Sequence, residues 1–418
     1  MWIFLPTERK EWGKRKCLVS YGQDWRVAVS ETNGHDRSRI AALYQWVQRI
    51  YSEIPFRYLR NGYSFPPWHY YFEVTRRCNL RCKMCQYIDF LENVPIRKQM
   101  EGELTTDEWH RVIDQVQRFS LVTFTGGEPF VRKDFMELLE HASRRARTHF
   151  VSNTTMLPEE RAERIVALAP KRFGGLGFNF AGTSIEAPGE LHDEIRKMRG
   201  AFERSMRGVQ TLRRIRDRSG KQCPLIHITT VIQQDNVHVL HEMPRVVREF
   251  GADVLNLVTE TRMHDLPDLG IRDPSAVDAS EIRWPRVDRT QLAEALDKTE
   301  AAAKELGIEL RLPRMPREDL LNYYDGTGIN LKNYECRNAW NTLIVGRTGD
   351  AYPCWIIRIG NVRENSLKEL WNNATMRQFR QTCQKKLFAM CPGCCFLDHK
   401  SGATAHQHAA AGVTSGLA

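Results

Sequence analysis

The chain has 418 residues, 42% hydrophobic and 27% charged, the composition of a folded globular protein rather than a disordered one. No apolar run is long enough to cross a bilayer, and the opening Met1–Pro6 stretch is too short for the core of a secretion signal, so the expected compartment is cytoplasmic. The formal net charge is +10, with basic runs at Arg144–Arg147 and Arg213–Arg218; both fit solvated helix faces, and no aromatic-interleaved basic stretch accompanies them, which argues against nucleic acid as a partner.

Residues 1–65 read as an N-terminal extension of uncertain fold. Its one expected element is a helix over Arg37–Ile50, with Ile40, Leu43, Trp46, Val47 and Ile50 on one face. The first strand is His69–Thr75. A helix over Thr106–Phe119 follows, opened by Thr105 and Glu108 as a capping box and lined by Trp109, Val112, Ile113 and Val116. Strand and helix then alternate: strand Leu121–Thr125, helix Lys133–Ala146, strand His149–Ser152, helix Pro158–Ala169, strand Leu176–Ala181, helix Phe202–Arg216, strand Leu225–Ile232, helix Val239–Phe250 and strand Asp253–Val258. Such alternation implies parallel pairing through right-handed crossovers. The six units are too few to close an eight-unit barrel. The expected fold is therefore α/β, a partial (β/α)6 TIM-like barrel over residues 66–260, with ligands at the C-terminal strand ends.

Residues 262–287, with Pro267, Gly270, Pro274 and Pro285, read as a linker or lid. They sit in a 261–330 segment that adds helix Thr290–Leu306 and strand Glu309–Leu312. From Cys336 the chain reads as loop-like, a small cysteine-rich domain over residues 331–398, and the small polar run from Lys400 suggests a disordered tail over 399–418.

The eleven cysteines are unevenly spread: three within Cys78–Cys85, six within Cys336–Cys395, and only Cys17 and Cys223 alone. In a chain without a secretion signal such clusters point to metal. The segment Cys78-Asn79-Leu80-Arg81-Cys82-Lys83-Met84-Cys85 directly follows the first strand, at the ligand end of the barrel. Three thiolates can hold three irons of a four-iron cluster and leave the fourth open, the mark of a catalytic metal rather than a structural one. Zinc would want a fourth Cys or His nearby, and none lies between Cys85 and His110.

This C-x3-C-x2-C loop resembles the signature of the radical S-adenosylmethionine (SAM) superfamily, with Met84 where that family usually has an aromatic residue. The resemblance implies a [4Fe-4S] cluster on Cys78, Cys82 and Cys85 whose open iron chelates SAM. An electron from the cluster would break the cofactor's S–C5′ bond, and the 5′-deoxyadenosyl radical would take a hydrogen atom from substrate. Gly126-Gly127-Glu128-Pro129, at the end of the second strand, is similar to the family's loop for the methionine ammonium group. Ser152 and Asn153 resemble the ribose-contacting position, and Ser184-Ile185-Glu186 the segment beside the sulfonium. Leu191–Arg196 is similar to a segment whose arginine, here Arg196, would meet the cofactor carboxylate. Thr230-Val231 and Asn236 resemble the adenine side, which Met84 would also flank. Each of these single polar residues reads equally well as a cap or a turn.

Cys336, Gly349, Cys354, Trp371 and Cys391-Pro392-Gly393-Cys394-Cys395 resemble, in that order, the SPASM/twitch extension of the same superfamily. That resemblance implies one auxiliary [4Fe-4S] cluster on Cys336, Cys354, Cys391 and Cys394, with Cys383 and Cys395 as spares. A structural zinc site remains the competing reading. The family chemistry calls for a flavodoxin- or ferredoxin-like electron donor and, as substrate, a peptide; the alternative is a small molecule such as a sugar, an aminocyclitol or a lipid precursor. A non-catalytic iron–sulfur or zinc protein binding nucleic acid would have no need of Gly126–Pro129.

Overall fold

The computed structural model describes residues 34–59, 61–261, 274–354 and 357–405. Cys17 and the rest of residues 1–33, the segment 262–273 of the expected lid, and residues 406–418 of the expected tail lie outside the described residues.

Helix α1 (Gly34–Tyr58) precedes the first strand, β1 (His69–Thr75). The chain then runs α2 (Ile88–Asn93), α3 (Thr106–Ile113), β2 (Leu121–Gly126), α4 (Phe135–Arg145), β3 (Arg147–Ser152), α5 (Glu159–Leu168) and β4 (Gly177–Ser184). Helices α6 (Gly189–Arg196) and α7 (Ala201–Arg218) lead to β5 (Leu225–Ile232), α8 (Met243–Phe250) and β6 (Val254–Thr259). After α9 (Arg289–Leu306), β7 (Glu309–Arg311) and α10 (Arg317–Asp325) comes a region of short strands: β8 (Tyr334–Glu335), β9 (Thr342–Val345), β10 (Asp350–Tyr352) and β11 (Gly360–Asn361). Helices α11 (Leu367–Trp371) and α12 (Ala374–Lys385) and strand β12 (Asp398–His399) complete it.

Strands β1 to β7 pair in sequence order and all in parallel. The order β11-β10-β9-β1-β2-β3-β4-β5-β6-β7 leaves β7 and β11 as edges, so the barrel is open, as expected. The alternation that made the strands legible decides their faces. In β5, Ile226, Ile228, Thr230 and Ile232 are buried, while His227, Thr229 and Val231 point to the other face. The outward residues join Phe72, Phe124 and Phe150 of neighbouring strands in one core with Trp109, Leu138, Leu139, Val247 and Leu292 of the covering helices.

The C-terminal region is not the loop-like extension its composition suggested. Strand β9 pairs in parallel with β1, His69 opposite Thr342, and β10 and β11 continue that sheet in antiparallel sense. The cysteine-rich region is thus built onto the outer edge of the first barrel strand. Helix α1 docks on it too: Phe56 meets Trp340 edge to face at 4.9 Å, and the Arg337 Nε donates to Glu53 at 2.6 Å. The start of the expected tail is held: Lys400 N–H donates to Asn333 O at 2.9 Å, and Ala405 is buried, its N–H on Pro313 O at 3.0 Å.

Candidate active site and cysteine clusters

Helix α6 ends at Arg196, and Lys197 follows in the left-handed conformation (φ 56°). The last carbonyls of a helix lack partners inside it. Here the cysteine loop supplies them: Lys83 N–H donates to Ile195 O at 3.0 Å and Arg81 N–H to Arg196 O at 3.4 Å. Asn79 ties the same loop to the end of β3, donating to Thr155 Oγ1 at 2.9 Å and accepting from Asn153 Nδ2 at 2.9 Å. The loop is therefore fixed by protein hydrogen bonds alone, at the carboxyl end of the barrel.

Each of its three sulfurs takes a donor. Leu80 N–H reaches Cys78 Sγ at 3.4 Å, Tyr87 N–H reaches Cys85 Sγ at 3.4 Å, and the Arg196 Nη1 reaches Cys82 Sγ at 3.4 Å. Burial pushes the Cys78 thiol up to about 12 and the Cys85 thiol above its usual range. Donors that point at sulfur while burial disfavours a free thiolate describe a set that suits metal-bound thiolates. Met84 is half-buried in the turn between Cys82 and Cys85.

The Gly-Gly-Glu-Pro loop lies against the exit of β1. A Cβ on Gly126 (φ 132°) would stand 2.0 Å from Thr75 O, and one on Gly127 would stand 2.3 Å from Arg77 O. The two glycines thus admit the backbone of the first strand, and Gly127 N–H and Glu128 N–H each donate into it at 2.8 Å, to Thr75 O and Arg77 O. This stitching places Glu128 in the interior. Its carboxylate accepts from Phe130 N–H (3.1 Å), Ser152 Oγ (2.9 Å) and Asn153 N–H (2.8 Å). Burial nevertheless pushes the Glu128 carboxyl above the usual range. A fully buried, pre-oriented carboxylate with a raised pKa is the environment in which an added ammonium group gains most.

Glu186 and Arg196 form a buried pair, Nη2 to Oε1 at 2.5 Å. Glu186 also accepts from Val231 N–H (2.9 Å) and Gln233 Nε2 (3.3 Å). Burial works against the charge on Arg196, but the Cys82 sulfur and Glu186 beside it outweigh burial and keep the guanidinium protonated. Its Nε is buried without a partner. Other members of these segments are structural. His192 Nδ1 accepts the Glu186 N–H at 3.1 Å, and Asp193 accepts the Phe202 N–H at 2.8 Å at the start of α7. Asn236 clamps Glu186 O and Val231 O, each at 2.8 Å, and Thr230 Oγ1 holds Ile185 O at 2.6 Å. Ser184 ends β4, half-buried.

The inward face of the strands holds polar residues that the sequence reading passed over. His69 Nε2 pairs with Thr123 Oγ1 at 2.7 Å, which pairs with His149 Nδ1 at 3.0 Å. Burial drives both imidazoles down to about 3, so they are neutral. His149 Nε2 is buried with no partner, and it and His227 Nε2 each lie 2.9 Å from where a Cβ on Gly182 would sit. A lone histidine in a strand reads as a core residue; the available signal was that His69, His149 and His227 all occupy same-face positions of the alternate strands β1, β3 and β5.

In the C-terminal region Cys383, on α12, is buried with Phe56, Trp340, Phe379, Phe388 and Met390, and Cys354, Cys391 and Cys394 pack against that cluster. Cys336, Cys354 and Cys391 are all close enough to raise the Cys383 thiol further after burial has done most of the work. Burial likewise lifts Cys336 to about 11 and Cys391 to about 12. Cys383, a spare in the sequence reading, is thus buried in the cluster that Cys354, Cys391 and Cys394 pack against. Among the described residues no three His, Cys, Asp or Glu side chains close on a single metal ion; a four-iron cluster spreads its thiolates one to an iron.

An open parallel α/β barrel with a cysteine triad on its first loop and a buried carboxylate beside it defines the class. Residues 72–238 match the Radical SAM superfamily, and the chain is an enzyme of that superfamily, using SAM and a [4Fe-4S] cluster. Within it the chain carries an iron–sulfur cluster-binding SPASM domain, matched over residues 336–395, which implies auxiliary iron–sulfur binding. It is 29% identical over 333 residues to an AdoMet-dependent heme synthase of Nitratidesulfovibrio vulgaris, covering 77% of this chain and 83% of that one. It is 24% identical over 330 residues to a PqqA peptide cyclase of Granulibacter bethesdensis, covering 76% and 77%. Its fold is similar to that of Streptococcus suis SuiB solved with precursor peptide SuiA, at a TM-score of 0.54 and 16% identity, over 86% of this chain and 74% of that one. No helix among the described residues is long and apolar enough to cross a membrane.

Proposed function

We propose that Cys78, Cys82 and Cys85 hold the catalytic cluster, and that Glu128 and Arg196 take the ammonium and carboxylate groups of the cofactor's methionine part. The observation that carries this reading is the pairing of a donor-lined cysteine triad with two buried charged groups of opposite sign, Glu128 and Arg196. The cluster, when bound, supplies the electron for reductive cleavage of SAM, and a flavodoxin- or ferredoxin-like donor supplies the cluster. Ser152 and Asn153 hold Glu128 in place by direct hydrogen bonds, and Asn153 also braces the triad through Asn79. Gly126, Gly127 and Pro129 set the turn that aims Glu128 inward, while Ser184, at the end of β4, and Met84, in the cysteine loop, stand at the same carboxyl end of the barrel. Cys336, Cys354 and Cys391 bind the auxiliary cluster, with Cys394 or Cys383 as the fourth thiolate.

The substrate expected from sequence was a peptide, with a small molecule as the alternative, and relatives of both kinds occur. We place a carboxylate-bearing small molecule of the tetrapyrrole class ahead. It is supported by the higher identity and coverage of the heme synthase relative, and by the unpartnered His149 Nε2 on the inward face, a neutral group able to meet a substrate carboxylate. The peptide reading is supported by the PqqA peptide cyclase relative. Anaerobically reconstituted protein should convert SAM to 5′-deoxyadenosine and methionine, and the Cys78/Cys82/Cys85→Ala triple variant should not. Cleavage undiminished in that variant would sink the cluster assignment. An iron porphyrin bearing propionates should raise the cleavage rate; no response to it would leave the peptide as the substrate class.

A further inference from the structure

Arg196 has one more contact than a cofactor-binding arginine requires. Its Nη1 lies 3.4 Å from Cys82 Sγ, its Nη2 lies 2.5 Å from Glu186 Oε1, and its Nε is buried with no protein partner. Cys82, Glu186 and Arg196 are all buried, so water screens the arrangement little. Both flanks hold it. The carbonyl of Arg196 receives the Arg81 N–H of the cysteine loop, and Glu186 is fixed by the Val231 N–H and the Gln233 amide. The guanidinium cannot swing away without giving up both the Cys82 sulfur and the fixed Glu186 carboxylate.

We infer that Arg196 and Glu186 together set the reduction potential of the catalytic cluster, Arg196 by donating to the Cys82 sulfur and Glu186 by partly offsetting its charge. This rests on the assignment of Cys78, Cys82 and Cys85 as cluster ligands. One-electron reduction by an external low-potential donor adds one negative charge to the cluster and its thiolates; no proton or bond at Arg196 changes. A fixed positive charge hydrogen-bonded to a ligand sulfur favours the more negative, reduced state and raises the potential. A buried carboxylate behind it acts in the opposite sense. Arg196 is in this role a positioning and tuning residue, separate from any contact its Nε makes with the cofactor. The two charges make opposite predictions, which a merely structural role would not.

The test is a redox titration of the full-length, anaerobically reconstituted protein, followed by electron paramagnetic resonance without SAM. The wave that is absent from the Cys78/Cys82/Cys85→Ala variant belongs to the catalytic cluster. If that variant loses no wave, the ligand assignment fails, and with it the premise. With the wave assigned, Arg196→Gln should shift its midpoint to more negative potential, so that the reduced-to-oxidised ratio at fixed potential falls by roughly tenfold or more. Arg196→Lys, which keeps the charge, should recover most of the shift, and Glu186→Gln should move the midpoint to more positive potential. An Arg196→Gln protein with full iron content and an unmoved midpoint overturns the inference. Should Arg196→Gln fail to fold, Glu186→Gln decides: a midpoint unmoved or moved to more negative potential overturns the inference as well.

Discussion

The two cysteine groups sit in opposite surroundings. The triad at Cys78–Cys85 lies in a polar setting: backbone N–H groups and the Arg196 guanidinium approach its sulfurs, and its loop is tied to the end of α6 and to the Asn153–Thr155 turn. The C-terminal group lies among aromatic and aliphatic side chains, with Trp340, Phe379, Phe388 and Met390 around Cys383. The first group is organised by protein hydrogen bonds that run from its loop to α6 and to the end of β3. The second has apolar packing, and apart from α12 only short strands and turns carry its cysteines, so on the proposed assignment metal ligation does more of the holding. With the ligands proposed above, one site leaves a position open for chemistry and the other is closed by its metal.

The largest expected effect tests that contrast directly. Cys336→Ala together with Cys354→Ala should remove the auxiliary iron and cost about 3 kcal/mol or more of unfolding free energy. The triad triple variant should lose its own cluster at a cost of about 1 kcal/mol or less, because its loop keeps the Lys83 and Arg81 N–H bonds to the end of α6 and the Asn79 ties to Asn153 and Thr155, and gives up only weak bonds to sulfur. Denaturant titration of both proteins under anaerobic conditions, with iron and sulfide counted, is the measurement. Equal destabilisation would erase the distinction between a pre-built and a metal-held site.

A smaller effect sharpens the polar side of the comparison. Glu128→Gln should weaken SAM binding by roughly ten- to a hundredfold, the worth of a charge-assisted hydrogen bond, with the triad's iron retained. Because burial raises the Glu128 pKa, the carboxyl is protonated over a wider acidic range than an ordinary glutamate, and ammonium binding requires the ionised form. Wild-type affinity should therefore decline as pH falls through that raised pKa. The Gln variant should show no such decline. Equilibrium dialysis of SAM across the acidic range reads both, and equal affinities for the two proteins would assign the ammonium to another group.

The smallest effect lies where the two regions touch at the surface. Arg363 Nε donates to Glu108 Oε1 at 2.7 Å, joining the C-terminal region to the first turn of α3, and the pair, with the cap at Thr105, lowers Glu108 to about 2. A depressed carboxyl pKa adds stability above its unfolded value near 4.5 and loses it as pH falls from there toward about 2. The pair is partly exposed and screened, so Arg363→Ala should cost below about 1 kcal/mol at neutral pH, and the loss should shrink in acid. Thermal unfolding of the variant at pH 7 and at low pH measures this. A loss that grew in acid would contradict the sign.

What local pattern could reveal, it revealed well. Strands β1 and β5 begin and end where their alternation indicated, and α3 starts at its capping box. That helix stops at Ile113 instead of Phe119 because Gln115 and Val116 N–H groups turn to carbonyls three residues back. The helical spacing of Val116 persists beyond the helix because it stays buried in the same core. The sheet built by β9 escaped notice because its partner β1 lies some 270 positions away in the chain, and a four-residue strand with three apolar residues carries no sign of that pairing. At the site, residue types and their order showed the triad and Glu128. What they could not show was direction. The glycines of Gly126-Gly127 admit the β1 exit, Asn236 and Asp193 are clamps, and the Arg196 guanidinium turns one edge to a cysteine sulfur.

The parallel pairing of β9 with β1 has a bearing on how the protein is made. Synthesis proceeds from the amino terminus, so β1 to β6 emerge and can pair while the outer flank of β1 still faces water. That flank, His69–Phe72, carries unpaired N–H and C=O groups until Thr342–Val345 has left the ribosome. For most of its synthesis the nascent barrel therefore has an unprotected seam at its oldest strand, and the last quarter of the chain both brings the second set of cysteines and seals it.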